Sequence, residues 1–208
     1  IRGRAVATQQ SRHYFYDVAE RNDQIYYGAV DFDLSADTTF GLGVAYEDLD
    51  ATPCWGGMPR YADGSDLKLS RSTCLNPAWN NQRSKRTTLF GDLKHQLNDN
   101  WVLKVAGVWS RNTQDMEYAF PSGSVPVGAS SSNTLVLGSI YDYDQVDYGL
   151  DAYVDGTFDA LGQQHELVVG ANTSRSHKDD FFAVAALPQR QNCLLYTSDA
   201  ADEGLGVD

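Results

Sequence analysis

The chain has 208 residues, with 16 basic and 28 acidic side chains and a net charge of −12. A nucleic-acid-binding protein needs a basic surface, so this balance excludes DNA or RNA as an expected partner. Hydrophobic residues make up 42% of the chain, but no run approaches the ~20 apolar residues of a transmembrane helix. That absence is expected of a β-barrel, in which half of each strand faces water.

Apolar and polar residues alternate with a period of two in several segments, which is the pattern of β-strands. A first strand is expected near residues 4–13, and six clearer ones cover residues 25–34, 38–50, 86–97, 101–116, 143–159 and 164–177. No segment has the sustained 3.6-residue apolar stripe of a helix. The sequence therefore predicts an all-β fold with seven antiparallel strands.

The most regular alternation runs from Val146 to Asp159, with apolar residues in one phase and mostly acidic residues in the other. At 14 residues it exceeds the ~5–6 of an ordinary globular strand, whereas a strand that crosses a bilayer needs about 9–11. This length predicts a transmembrane β-barrel with its acidic face on a solvated lumen. The residues expected on that wall are Asp31, Asp33, Asp92, Asp147, Asp151, Asp155 and Asp159.

Short and long connections alternate between the strands. Residues 35–37, 98–100 and 160–163 are tight turns, while about 49–85, 121–142 and the chain from 178 onward are expected to be long connections. Outer-membrane barrels have short periplasmic turns and long extracellular loops. Trp101 and Trp109 fall in the lipid-facing phase, and Trp101 follows a short turn, so we expect it in the interfacial aromatic girdle.

Residues 193–208 require a separate interpretation. The run CLLYTSDAADE at 193–203 reads as the translation of a transposase sequencing adapter, so we expect a natural barrel segment at 1–192 and a non-native tail at 193–208. The tail holds four acidic residues and no basic one, which leaves a net charge of −8 for 1–192.

Without Cys193, Cys54 and Cys74 remain in one loop. An even cysteine count in an exported protein favours a disulfide over two free thiols.

The connection after the third strand contains WGGMPRYADGSD at 55–66, RSTC at 71–74 and WN at 79–80. With GRAVA at 3–7 and HELVVGA at 165–171, these motifs make the chain resemble the ferric-siderophore receptors of the TonB-dependent family, especially the pyoverdine and coprogen receptors. The resemblance implies a 22-stranded barrel in the bacterial outer membrane, plugged by an N-terminal domain and energised through the TonB complex. This chain would supply seven consecutive strands as an open arc, together with contacts to membrane lipid.

The cargo that the resemblance implies is a ferric siderophore, so iron would travel as a chelate and the protein would need no cofactor. Aromatic side chains can cover broad chelate surfaces, and arginines can pair with anionic groups. The candidate ligand-binding residues are Trp55, Arg60, Tyr61, Arg71, Trp79, Tyr118 and Phe120. For each residue alone, packing within the loop is the competing interpretation.

Other chemistry has little support in the sequence. The four histidines have no metal-ligand spacing, and DGSD at 63–66 lacks the remaining ligands of a calcium loop. No serine lies in a nucleophile elbow. We therefore expect neither an enzyme nor a metal site. The alternatives are a non-transport outer-membrane barrel, such as an adhesin or a structural pore, and a soluble β-sandwich binding module.

Overall fold

Seven antiparallel strands form one sheet, in which each strand pairs with its neighbours in chain order. The computed structural model describes residues 1–129 and 134–191. The strands are β1 Arg2–His13, β2 Glu20–Asp33, β3 Thr38–Thr52, β4 Asn81–Asn98, β5 Trp101–Ser122, β6 Thr134–Ala160 and β7 Gln163–Gln191. The all-β, seven-stranded prediction is confirmed. The expected boundary between 192 and 193 lies outside the described residues. Within the described ranges, no helix is long and apolar enough to cross a membrane.

The register places all the predicted apolar phases on one face of the sheet. Directly opposed residues of paired strands point to the same side. Tyr148 of β6 lies opposite Trp109 of β5, and Trp109 lies opposite Leu89 of β4. We call this side the outer face and the opposite side, which carries the aspartates, the inner face.

The outer face is apolar over only part of the height of the sheet. Along β5, about nine residues from Trp101 to Trp109 span the apolar band, close to the 9–11 that a bilayer requires. At one edge of the band Trp101 stacks on Phe158 at 6.5 Å, and at the other Tyr26 stacks on Tyr46 at 6.4 Å. Beyond the second edge the outer face carries ion pairs, namely Asp48–Lys85, Asp50–Arg83 and Arg111–Asp144. The band therefore has the height and the aromatic borders of a lipid-facing surface.

The predicted long connections were too long, because the strands continue past the apolar band. The β3–β4 connection is residues 53–80, β6 begins at Thr134, and β7 continues to Gln191 through the region expected to be a loop from 178 onward. The β5–β6 ladder runs without a register shift from Trp101↔Gly156 to Ser122↔Leu135. Outside the band the apolar residues no longer keep one phase, so the backbone ladder persists while the alternation that predicts strands is lost.

The inner face brings carboxylates and basic groups together across neighbouring strands. Asp31, Gly41, Asp92 and Asp151 belong to one row of the register. Gly41 leaves room for the two flanking carboxylates, since a Cβ there would lie 2.5 Å from Oδ1 of Asp92 and 3.2 Å from Oδ1 of Asp31. Two residues along β5 from Ala106, which belongs to the same row, the Lys104 ammonium lies 3.0 Å from the Asp155 carboxylate of β6. This face is polar and partly charge-paired, as a water-facing wall should be.

Candidate functional site

Three connections meet at the end of the sheet that lies beyond the charged part of the outer face, and we call them the loop cluster: residues 14–19, 53–80 and 123–129. The Asp17 N–H donates to the Ser72 carbonyl at 2.7 Å, and the Ala62 N–H donates to the Val125 carbonyl at 2.8 Å. Val125 is buried against Leu67 and Leu75 in a small core. The loops therefore pack as one body rather than as independent segments.

A disulfide closes the longest loop of the cluster. Cys54 and Cys74 are joined with their Cα atoms 6.1 Å apart and 20 positions apart in sequence. A bridge across a loop of this size stabilises a fold by about 3 kcal/mol, largely by restricting the unfolded chain. It joins Cys54, at the start of the loop, to Cys74, which directly precedes Leu75 of the small core.

Three of the expected ligand residues lie together, and we call them the aromatic triad: Trp55, Tyr118 and Phe120. The Trp55 ring meets the Tyr118 ring edge-on at 5.4 Å, and Tyr118 stacks on Phe120 at 6.1 Å. Strand phase places Tyr118 and Phe120 on the inner face of β5. Trp55 is 42% exposed, so the triad presents aromatic surface at the mouth of the inner face.

Gly56 allows the loop backbone to lie directly on the triad. Its φ is +87°, and a Cβ there would lie 2.5 Å from Cγ of Phe120. A side chain at this position would meet both backbone strain and a steric clash.

The two expected arginines line one pocket of about 340 Å³ with Met58, Asp66, Leu69 and other loop residues. Each also has a contact within the protein. Arg60 donates from Nη1 to the Gly64 carbonyl at 3.2 Å, and the Arg71 guanidinium lies 5.7 Å from the Phe15 ring centroid. The lining combines the two guanidinium groups with the Asp66 carboxylate, so its positive charge is partly offset, and it shares no residue with the aromatic triad.

The remaining two expected residues differ in exposure. The backbone of Tyr61 bridges to Val125, and its side chain packs against the small core of the loop cluster. Trp79 is 51% exposed.

In the DGSD segment at 63–66, the hydroxyl and N–H of Ser65 donate to the Asp63 carboxylate and lower the pKa of Asp63. The DGSD turn is thus closed by its own hydrogen bonds.

The inner face also carries an aromatic extension that the sequence does not predict. The ring centroid of Tyr141 lies 5.4 Å from that of Tyr143 and 6.0 Å from that of Phe182. The Lys178 ammonium lies 4.8 Å from the Tyr143 ring centroid. Tyr141 is the register partner of Phe182 and lies two residues from Ser139, the register partner of Tyr118. These residues fell in or beside segments predicted to be loops. The alternation Tyr-Asp-Tyr-Asp at 141–144 was the signal that could have identified them.

A second missed residue, Asn80, is buried where the loop enters β4, and its amide contacts the backbone of Ala119. The WN motif at 79–80 includes this asparagine, but nothing in the sequence indicates that its amide is buried against the backbone of β5. In the described ranges, no group of three or more His, Cys, Asp or Glu side chains is placed to hold a metal ion.

Sequence comparison gives two informative relatives, although no family model matches the chain. The chain is 80% identical over 194 residues to the ferric-pyoverdine M114 receptor PbuA of Pseudomonas sp. strain M114, which covers 93% of the chain and 24% of that receptor. It is 34% identical over 180 residues to the ferripyoverdine receptor of Pseudomonas aeruginosa, covering 85% and 22%.

The solved structures agree. The crystal structure of the P. aeruginosa ferripyoverdine receptor bound to ferripyoverdine matches with a TM-score of 0.79 and 33% identity, over 86% of this chain and 24% of that one. The chain belongs to the TonB-dependent ferric-siderophore receptors. It spans about a quarter of the length of the relatives that it matches.

More distant siderophore receptors share the fold alone. The ferric preacinetobactin receptor BauA of Acinetobacter baumannii matches with a TM-score of 0.74 at 13% identity. The prediction of a siderophore-receptor barrel segment is confirmed by the match to the ferric-pyoverdine receptors. A β-sandwich would need two packed sheets, whereas the described part of this TonB-dependent receptor segment forms a single sheet.

Proposed function

We propose that this chain forms part of the wall and mouth of a bacterial outer-membrane receptor that takes up ferric pyoverdine-type siderophores. The observation that carries the proposal is the aromatic triad at the loop end of the inner face, in which Trp55 is exposed and Tyr118 and Phe120 are half-buried. The 80% identity to a ferric-pyoverdine receptor supports the ligand class. The iron-bearing chelate is the cargo, and the chain supplies no cofactor.

The triad suits a large chelate because aromatic faces give broad apolar contact at low conformational cost. Trp55 and Tyr118 would contact the chelate first, and Tyr141 and Phe182 would continue the same surface deeper along β6 and β7. The pocket between Arg60 and Arg71 would accept an anionic group of the ligand, since guanidinium pairs well with carboxylates.

Transport also needs parts that lie in the rest of the receptor. The family resemblance supports an N-terminal plug within the barrel and energy supplied by the TonB complex. Strands β1–β7 would contribute the lipid contact through the band from Trp101 to Trp109.

The test is equilibrium binding and uptake of 55Fe-loaded M114 ferripyoverdine by the full-length receptor that carries this segment, expressed in a Pseudomonas strain without its own pyoverdine receptors. Trp55→Ala should weaken binding about tenfold, as expected for an exposed aromatic at an interface centre. Trp109→Leu, on the lipid-facing side, is the control and should leave the Kd unchanged. Failure of the wild-type receptor to bind or import any ferric siderophore would overturn the proposal.

A further inference from the structure

The side-chain amide of Asn80 is buried between two backbone segments at the end of the 53–80 loop. The residue is 1% exposed. Oδ1 accepts a hydrogen bond from the Ala119 N–H at 2.8 Å, and Nδ2 donates to the Ala119 carbonyl at 3.1 Å. Nδ2 also donates to the Pro53 carbonyl at 3.5 Å. The donors and the acceptor of this amide are therefore all used within the protein.

The Asn80 side chain makes the two backbone hydrogen bonds to Ala119 that a further residue of β4 would otherwise make. The β4–β5 ladder ends at Asn81↔Glu117, two residues before Ala119. Ala119 is fully buried, and its N–H and C=O both point towards Asn80. Buried backbone groups without partners are strongly unfavourable. Asn80 supplies both hydrogen bonds where the neighbouring strand no longer can.

All three rings of the aromatic triad are attached to the backbone that this amide holds. Tyr118 and Phe120 flank Ala119, and Trp55 follows Pro53 by two residues. Loss of the amide would free the two segments to move relative to each other. The triad would then lose its fixed spacing even though every ring remained present.

We propose that Asn80 is a positioning residue for ligand binding, which acts by holding Trp55 at a fixed distance from Tyr118 and Phe120. The inference rests on the proposed function of the triad. Asn80 is too deeply buried to touch the siderophore, so its effect must pass through the rings.

A double-mutant cycle in the full-length receptor tests this, with M114 ferripyoverdine as the probe and its Kd as the readout. Asn80→Ala and Trp55→Ala should each weaken binding about tenfold, and the double variant should lose far less than the hundredfold expected of independent changes. A role in general stability alone would give an additive cycle.

Asn76→Ala is the matched control, since Asn76 is a buried asparagine of the same loop whose Nδ2 has no hydrogen-bond partner within the described residues. It should change the Kd less than about twofold. Asn80→Asp keeps the size but places a carboxylate oxygen against the Ala119 carbonyl, so it should weaken binding like Asn80→Ala. It is used in the same cycle if the alanine variant does not fold.

The outcomes separate the two proposals. If Trp55→Ala weakens binding while both Asn80 variants leave the Kd unchanged, or if the cycle is additive, the role of Asn80 is overturned and the ligand site stands. If Trp55→Ala has no effect, the ligand site itself fails.

Discussion

The indole of Trp101 lies against the backbone of Gly156, its register partner on β6. A Cβ on Gly156 would come 2.5 Å from Cδ2 of Trp101 and 2.5 Å from the Asn100 carbonyl oxygen. The glycine therefore lets the indole lie flat at the turn end of the apolar band, where it also stacks on Phe158. The lack of a side chain at Gly156 on β6 thus allows Trp101 of β5 to take its place in the aromatic border of the apolar band.

Gly156→Ala should displace Trp101 and strain the turn at Asn100. We expect the free energy of unfolding of the full-length barrel in lipid vesicles to fall by about 1–3 kcal/mol, as for overpacked sites. Denaturant titration followed by Trp fluorescence would measure it. Gly107→Ala is the control, because Gly107 is also on the outer face and a Cβ there would lie 3.9 Å from its nearest neighbour, the Gly149 carbonyl oxygen. Equal destabilisation by both variants would contradict the packing argument.

Gly56→Ala should disturb the aromatic triad more than Gly57→Ala. Both glycines have positive φ, +87° and +70°, so both substitutions strain the backbone. Only at Gly56 would the new Cβ strike Phe120, since nothing lies within 4 Å of a Cβ at Gly57. We expect Gly56→Ala to weaken ferripyoverdine binding about tenfold and Gly57→Ala much less. Identical Kd changes would show that backbone strain, and not the contact with Phe120, governs this loop.

The sequence predicted the membrane-crossing part of the fold well and the part beyond it poorly, and both results have the same cause. Between Trp101 and Trp109 one face meets lipid, so alternation is enforced and can be read directly. Beyond Arg111 the outer face carries ion pairs such as Arg111–Asp144 and the inner face carries aromatic rings such as Tyr118 and Tyr141, so the apolar phase is no longer constant and the strands cannot be recognised by it. Tyr141 and Phe182 were missed for this reason. The position of Trp55 beside Tyr118 depends on Asn80 and Gly56, whose roles appear only in three dimensions.

Cys54→Ser should loosen the 53–80 loop without unfolding the barrel. The bridge restricts the unfolded loop by an amount worth about 2–4 kcal/mol, while the seven-stranded ladder does not depend on it. Limited proteolysis should therefore cut the loop faster in Cys54→Ser, while the strands of the barrel remain uncleaved on a denaturing gel. Cys74→Ser and the double variant should behave like the single variant, because one change already removes the bond. Unchanged cleavage rates would show that the small core around Val125 suffices to hold the loop.

Tyr141→Leu and Tyr148→Leu compare the two faces of one strand. Tyr141 lies on the inner face, with its ring centroid 6.0 Å from that of Phe182, and is two residues from Ser139, the register partner of Tyr118. Tyr148 lies on the outer face opposite Trp109. If the ligand surface continues from the triad along β6, Tyr141→Leu should weaken ferripyoverdine binding severalfold, by loss of an aromatic contact worth about 1 kcal/mol. Tyr148→Leu exchanges one lipid-facing apolar surface for another and should leave the Kd unchanged. Isothermal titration of the two purified receptors decides the matter, since an unchanged Kd for Tyr141→Leu would confine the ligand surface to the loop cluster and the triad.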